Sequence, residues 1–175
     1  MVIKNFGQEL WDAAAQKISL DIEYFVGMET YPDEMTYHLA ATLSELLSLS
    51  LEQVLEAFGL HWATETAMKE YPELMESAGD TFSEFLVNLP NFHTQIVLMM
   101  PNLKPPEFQC TDIQIDSLKL HYFSERNGLA AFVVGILKGL GEIYDTDLNI
   151  QHIQKRSPEQ DHDVFLLKWN KSNHL

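Results

Sequence analysis

Only one cysteine, Cys110, stands among the 175 residues, so no disulfide can form within the chain; a lone thiol suits a reducing compartment. Long apolar runs are missing too. The longest, Gly128 to Leu137, falls well short of the ~20 residues a membrane-crossing helix needs. No basic segment followed by an apolar one opens the chain, which argues against a secretory leader. Cations are scarce: 11 Lys and Arg stand against 26 Asp and Glu, a formal net charge of −15. Such a surface repels phosphate and argues against nucleic acid as a partner. Repeats, low-complexity tracts and Gly/Ser linkers are absent as well. The expectation is one soluble cytoplasmic domain with no membrane partner, long enough to bury a sizeable core. What is plentiful is bulky: ten Phe, six Tyr, three Trp and seven Met, enough to wrap a large flat guest or to fill an ordinary core.

The first half carries helical periodicity. Phe6, Leu10, Trp11 and Ala14 repeat at helical spacing, and Ser50 with Gln53 and Thr81 with Glu84 have the form of capping boxes. Pro90 suits the first turn of a helix, where its missing N–H costs nothing; that helix is expected to run to about Met100 and stop at Pro101. After Pro105 and Pro106 the period changes. Phe108, Cys110, Ile113 and Ile115 suggest a strand, and residues 117–125 alternate apolar with polar. A helix is expected over Leu129–Tyr144, then strands over Leu148–Lys155 and Val164–Trp169, joined by a polar turn at Ser157–Asp163. Helices followed by β-β-α-β-β predict an α+β fold with a four-stranded antiparallel sheet in the second lobe.

Within the segment NFHTQIVLMM, His93, Ile96, Val97 and Met100 fall on one helical stripe. Taken alone, a histidine on an apolar face is ordinarily a hydrogen-bonded core residue. The seven histidines show no zinc spacing: there is no HExxH and no His/Cys pair. A histidine acting singly does have one well-known use, as axial ligand of a haem, whose porphyrin supplies the other four nitrogens. An apolar stripe then matches a flat, greasy macrocycle. Downstream, YFSER places Tyr122, Ser124 and Arg126 on one face of an extended strand. Two hydroxyls and a guanidinium in a row form a comb for an extended anionic partner, and a haem edge carries two carboxylates. Taken alone, the same row is a strand end with an exposed arginine.

Together, NFHTQIVLMMPNLKPPEF and SLKLHYFSERNGLAAFVVGILKGLGE resemble the haem nitric oxide/oxygen binding (H-NOX) domain, which also serves as the haem sensor of soluble guanylate cyclase. The resemblance extends over DIEYFVGMETYPDEMTYHL, EAFGLHW, SAGD and DHDVF, nearly the whole chain. It implies a helical lobe over about residues 1–60, a haem-ligating helix plus sheet lobe over about 61–175, and haem b (iron protoporphyrin IX) between them. It implies that His93 is the proximal iron ligand and that Tyr122, Ser124 and Arg126 hold the propionates. Pro106 matches a proline that presses on the porphyrin, and Trp62 matches an aromatic position on the distal side. Where the family's oxygen binders carry a tyrosine, this chain has Phe132, which cannot donate a hydrogen bond. The resemblance therefore implies a ferrous haem that binds nitric oxide and carbon monoxide and discriminates against dioxygen. Weakening of the His93–iron bond would signal to a separate protein, a histidine kinase or a cyclic-di-GMP-metabolising enzyme. Relative to the family, the chain is expected to begin inside the usual first helix.

Two other readings remain: a haem-free interaction module, and a peroxidase-like haem enzyme, which would need a distal acid–base pair. Gly135, Gly139 and Gly141 sit inside a helical pattern and read as close helix packing, because no Lys-Ser/Thr of a phosphate loop follows. Asp161-His162-Asp163 reads as a solvated hairpin.

Overall fold

The computed structural model describes residues 1–19, 31–101 and 103–171; residues 21–30, the first part of the DIEYFVGMETYPDEMTYHL stretch, lie outside them. The opening helical pattern is split by Gly7, whose φ of 87° closes α1 (Val2–Phe6) and opens α2 (Gln8–Lys17). Phe6 is consequently exposed and not part of the stripe that buries Ala14. Next come α3 (Asp33–Leu47) and α4 (Leu51–His61). Ser50 starts α4 with both arms of the capping box, accepting from the Gln53 N–H and donating its own N–H to Gln53 Oε1 at 2.8 Å. A six-residue π-helix, Trp62–Ala67, continues from α4 into the short α5 (Met68–Glu70) and α6 (Pro72–Ser77).

The helix α7 spans Phe82–Met99 without a break, so the expected start at Pro90 is not found. Thr81 caps it, accepting from the Glu84 N–H, while the Glu84 carboxylate reaches back to the Asp80 N–H instead of closing a full box. Phe82, Phe85, Leu86, Leu89, Phe92 and Ile96 are buried along it. Each large apolar side chain taken from water contributes about 1.5–3 kcal/mol, against about 3 kcal/mol for one interior proline; burial wins. The Leu86 carbonyl that Pro90 leaves without its helical partner receives the Cys110 thiol at 3.5 Å.

The sheet is four-stranded and antiparallel throughout, in the order β1-β2-β4-β3: β1 Glu107–Thr111, β2 Ser117–Phe123, β3 Thr146–Gln154 and β4 Asp163–Lys171. The first strand ends earlier than expected. Asp112 turns into the left-handed region (φ 50°), and Ile113 and Ile115 lie exposed in the connection. Leu118, Leu120 and Tyr122 alternate into the core. The turn before β4 is only partly solvated, because Asp163 is buried and accepts from His152 Nε2 and the Arg156 N–H.

The helix α8 (Ala130–Ile143) lies against α4 with backbones nearly touching. A Cβ on Gly135 would stand 2.0 Å from the Glu56 carbonyl oxygen, and one on Gly59 would stand 2.1 Å from that of Phe132. The glycines thus serve close packing. Two hydrophobic cores result. The larger joins α7 and α8 to the sheet; the smaller joins the N-terminal helices, with Leu129 and Phe132 of the α8 end packed against it. The site lies where these cores meet.

Candidate functional site

The helix α7 carries His93 to a position where its Nδ1 lies 2.9 Å from the Pro106 carbonyl oxygen. A carbonyl only accepts, so the proton sits on Nδ1 and the Nε2 lone pair is left for the cavity that the residue lines. Burial holds the imidazole pKa below its usual value, with the Pro106 bond opposing, so the ring is neutral and able to ligate at neutral pH. The stripe expected from the sequence differs in one place. Val97 is 36% exposed, and the buried line is Leu89, Phe92 and Ile96, with His93 half-buried beside it.

The cavity measures about 300 Å³, and all seven residues singled out from the sequence line it: His93, Tyr122, Ser124, Arg126, Pro106, Trp62 and Phe132. Phe85, Phe92, Ile96, Phe108 and Leu137 supply apolar wall. The His93 ring lies 5.5 Å from that of Phe108, which stacks on Tyr122 at 5.3 Å. Trp62 and Ala63 come from the π-helix, a distortion often found where a helix must re-aim side chains at a site. The Phe132 ring packs on Phe58 at 5.2 Å.

Tyr122 is delivered by β2, with burial raising its phenol pKa and a hydrogen bond to Ser124 opposing. The straight comb expected over Tyr122–Arg126 is bent, since β2 ends at Phe123. Ser124 Oγ accepts from the Arg126 N–H, and this turn brings the guanidinium back to the same cavity. Arg126 Nε donates to both carboxylate oxygens of Asp33, at 2.8 and 2.9 Å, and Nη1 donates to the Lys104 carbonyl at 3.3 Å. Tyr37, also on α3, donates to the Asn127 carbonyl, and Arg156 donates to that of Ser124. No local pattern announces Asp33 or Arg156. They stand 93 and 32 residues from their partners, and only the folded topology joins them.

One anchored imidazole facing an apolar cavity, with hydroxyls and a guanidinium among its lining, fits a flat macrocycle bearing acid groups. The sequence profile of the haem-NO-binding family matches residues 1–152. The chain belongs to this family. Among relatives of this chain, soluble guanylate cyclase gcy-32 of Caenorhabditis elegans is 28% identical over 180 residues, covering 95% of this chain and 26% of its own length. Soluble guanylate cyclase 89Db of Drosophila melanogaster is 24% identical over 155 residues, covering 88% and 23% respectively. The chain thus spans about a quarter of the length of the curated relatives it matches. Among solved structures, an H-NOX protein from S. oneidensis in the Fe(II)NO state superposes with a TM-score of 0.86 at 17% identity, covering 97% of this chain and 93% of that one. The Fe(II) unliganded H-NOX protein from K. algicida gives 0.84 at 20% identity, covering 99% and 93%. These likenesses establish the α+β fold.

Proposed function

We propose that this haem-NO-binding chain is a gas sensor and not an enzyme, that it holds haem b, and that it answers to nitric oxide and carbon monoxide but not dioxygen. The observation that carries this reading is the His93 ring, tied by Nδ1 to the Pro106 carbonyl with Nε2 left to an apolar cavity. When bound, the haem supplies a ferrous iron with one position open to a diatomic gas. His93 Nε2 would take the iron's protein-side position, with the Pro106 bond fixing ring angle and tautomer. Tyr122, Ser124 and Arg126 would hold the acid groups, and Arg126 would exchange some of its contact with Asp33 in doing so. Trp62 and Phe132 would wall the gas side; Phe132 keeps that wall free of a donor at its own position.

The output runs through His93. Its ring is anchored on one side to the Pro106 segment and on the other to α7, so both would feel a weakened His93–iron bond, and that weakening would be the signal. We take the chain as a single cytoplasmic domain whose helical lobe extends to about residue 60 and whose effector is a separate histidine kinase or cyclic-di-GMP-metabolising protein. The test is haem retention. The His93→Gly variant, reconstituted with haem and passed through a desalting column, is expected to lose its Soret band and to recover it when free imidazole is supplied. Equal retention with an unchanged spectrum would remove His93 from this role and the reading with it.

A further inference from the structure

On the sheet face turned away from the cavity, two histidines 41 residues apart meet. His121 alternates with the buried Leu120 and Tyr122 on β2, and His162 lies just before β4 with its ring stacked on Phe123 at 4.1 Å. His121 Nδ1 and His162 Nε2 stand 2.9 Å apart. Both remaining ring nitrogens are engaged: His121 Nε2 with Thr111 Oγ1 at 2.8 Å, and His162 Nδ1 with Asp161 Oδ1 at 2.5 Å. The Asp161 carboxylate only accepts, so His162 carries its proton on Nδ1 and offers a lone pair at Nε2. Thr111 can donate or accept. With its hydroxyl donating, His121 Nδ1–H fills the gap between the rings. With its hydroxyl accepting, both facing nitrogens carry lone pairs, and only a cation between them would satisfy both.

We propose that this pair is a binding site for a divalent late transition metal, copper(II) foremost, with water in the other coordination positions. Metal–imidazole bonds of about 2.0–2.1 Å put two ligand nitrogens roughly 2.9 Å apart at a right angle and about 3.3 Å apart at a tetrahedral one. The observed separation matches the right-angled arrangement of tetragonal copper(II) or nickel(II), and copper(II) heads the affinity order for nitrogen ligands. Asp161 and Thr111 stand where metal-bound histidines usually find the oxygen partner that fixes their tautomer. Lys119 on the same strand opposes a cation, but it is paired with Asp112 at 2.7 Å. Among the described residues no three His, Cys, Asp or Glu side chains gather as a metal cage, so the site has two protein ligands and its affinity is modest. Neither ligand lines the cavity of His93. The site stands independently of the function proposed above.

The test is a copper(II) titration of this chain, followed by calorimetry and by electron paramagnetic resonance. Wild type is expected to bind one equivalent with a tetragonal signal showing two-nitrogen coupling. His121→Ala and His162→Ala are expected to weaken binding at least tenfold and abolish that coupling, while His38→Ala changes neither. Asp161→Asn, at a side chain 84% exposed and so harmless to folding, is expected to weaken binding about tenfold. Copper binding that is unaltered in the two histidine variants, or in Asp161→Asn should those two fail to fold, would place the metal elsewhere and overturn the proposal.

Discussion

In the function proposed above, the choice of gas would rest on one missing atom at Phe132. Its ring lines the cavity and leans on Phe58, so a tyrosine there would keep the same packing and add a hydroxyl at the ring's far end. A hydrogen bond to a strongly polarised acceptor contributes about 1.5–3 kcal/mol, a factor of roughly 10 to 150 in an equilibrium constant. Nitric oxide and carbon monoxide, less polarised when bound to ferrous iron, gain far less from such a donor. The haem-loaded Phe132→Tyr variant is therefore expected to hold dioxygen at least tenfold longer than the parent, read by stopped-flow absorbance after rapid deoxygenation. Identical dissociation rates would mean that ligand choice is set elsewhere. His93 and the Tyr-x-Ser-x-Arg residues stood out in the sequence only through the resemblance their two segments carry together, and the fold brings all four to one cavity. The Arg126 partner did not stand out: Asp33 is an ordinary first-turn carboxylate of α3 until folding sets it 2.8 Å from the guanidinium.

Elements raise a different constraint, the approach of α4 to α8. A Gly→Ala change inside an ordinary helix stabilises by nearly 1 kcal/mol through propensity. At Gly135 the added methyl would lie 2.0 Å from the Glu56 carbonyl oxygen and 2.8 Å from the Leu60 N, both backbone atoms that no rotamer change can move aside. Overpacking of this kind costs about 3 kcal/mol and outweighs propensity. Gly135→Ala is expected to lower the urea-unfolding free energy by about 2–3 kcal/mol. An increase would show that the helices slide apart freely. The glycines could be read as packing residues from their helical spacing alone, yet which helix they meet could not. The same limit explains the misplaced start of α7: local rules put Pro90 at a helix end, and only the tertiary burial of Phe82, Phe85, Leu86 and Leu89 carries the helix through it. Ile113 and Ile115 erred the other way, two β-branched residues in strand-like alternation that the turn at Asp112 leaves exposed.

Across the whole molecule, partly buried imidazoles, one of them His93 in the cavity wall, tie stability to pH. His61, His93 and His121 all have pKa values lowered, with burial the largest cause in each. A depressed imidazole pKa means that the fold prefers the neutral ring. Above the unfolded value of about 6.5 both states are neutral and stability is complete. Below it the unfolded chain takes protons that the folded one refuses, so stability falls until the lower folded values are passed. The net charge of −15 acts in the opposite sense, since acid relieves self-repulsion. Salt separates the two, because it screens surface charge but not burial. In ~0.5 M salt, where the Debye length is only a few ångströms, the urea midpoint of the haem-free protein is expected to drop steadily from pH 6.5 to pH 5. That window lies above the range in which Glu65, Asp112 and Asp161, whose carboxyl pKa values are lowered by hydrogen bonds to Lys4, Lys119 and His162, begin to protonate. A midpoint that holds level or rises over the same interval would show that the protonated rings are accommodated in the fold, and that the cavity around His93 is wetter than its apolar lining implies.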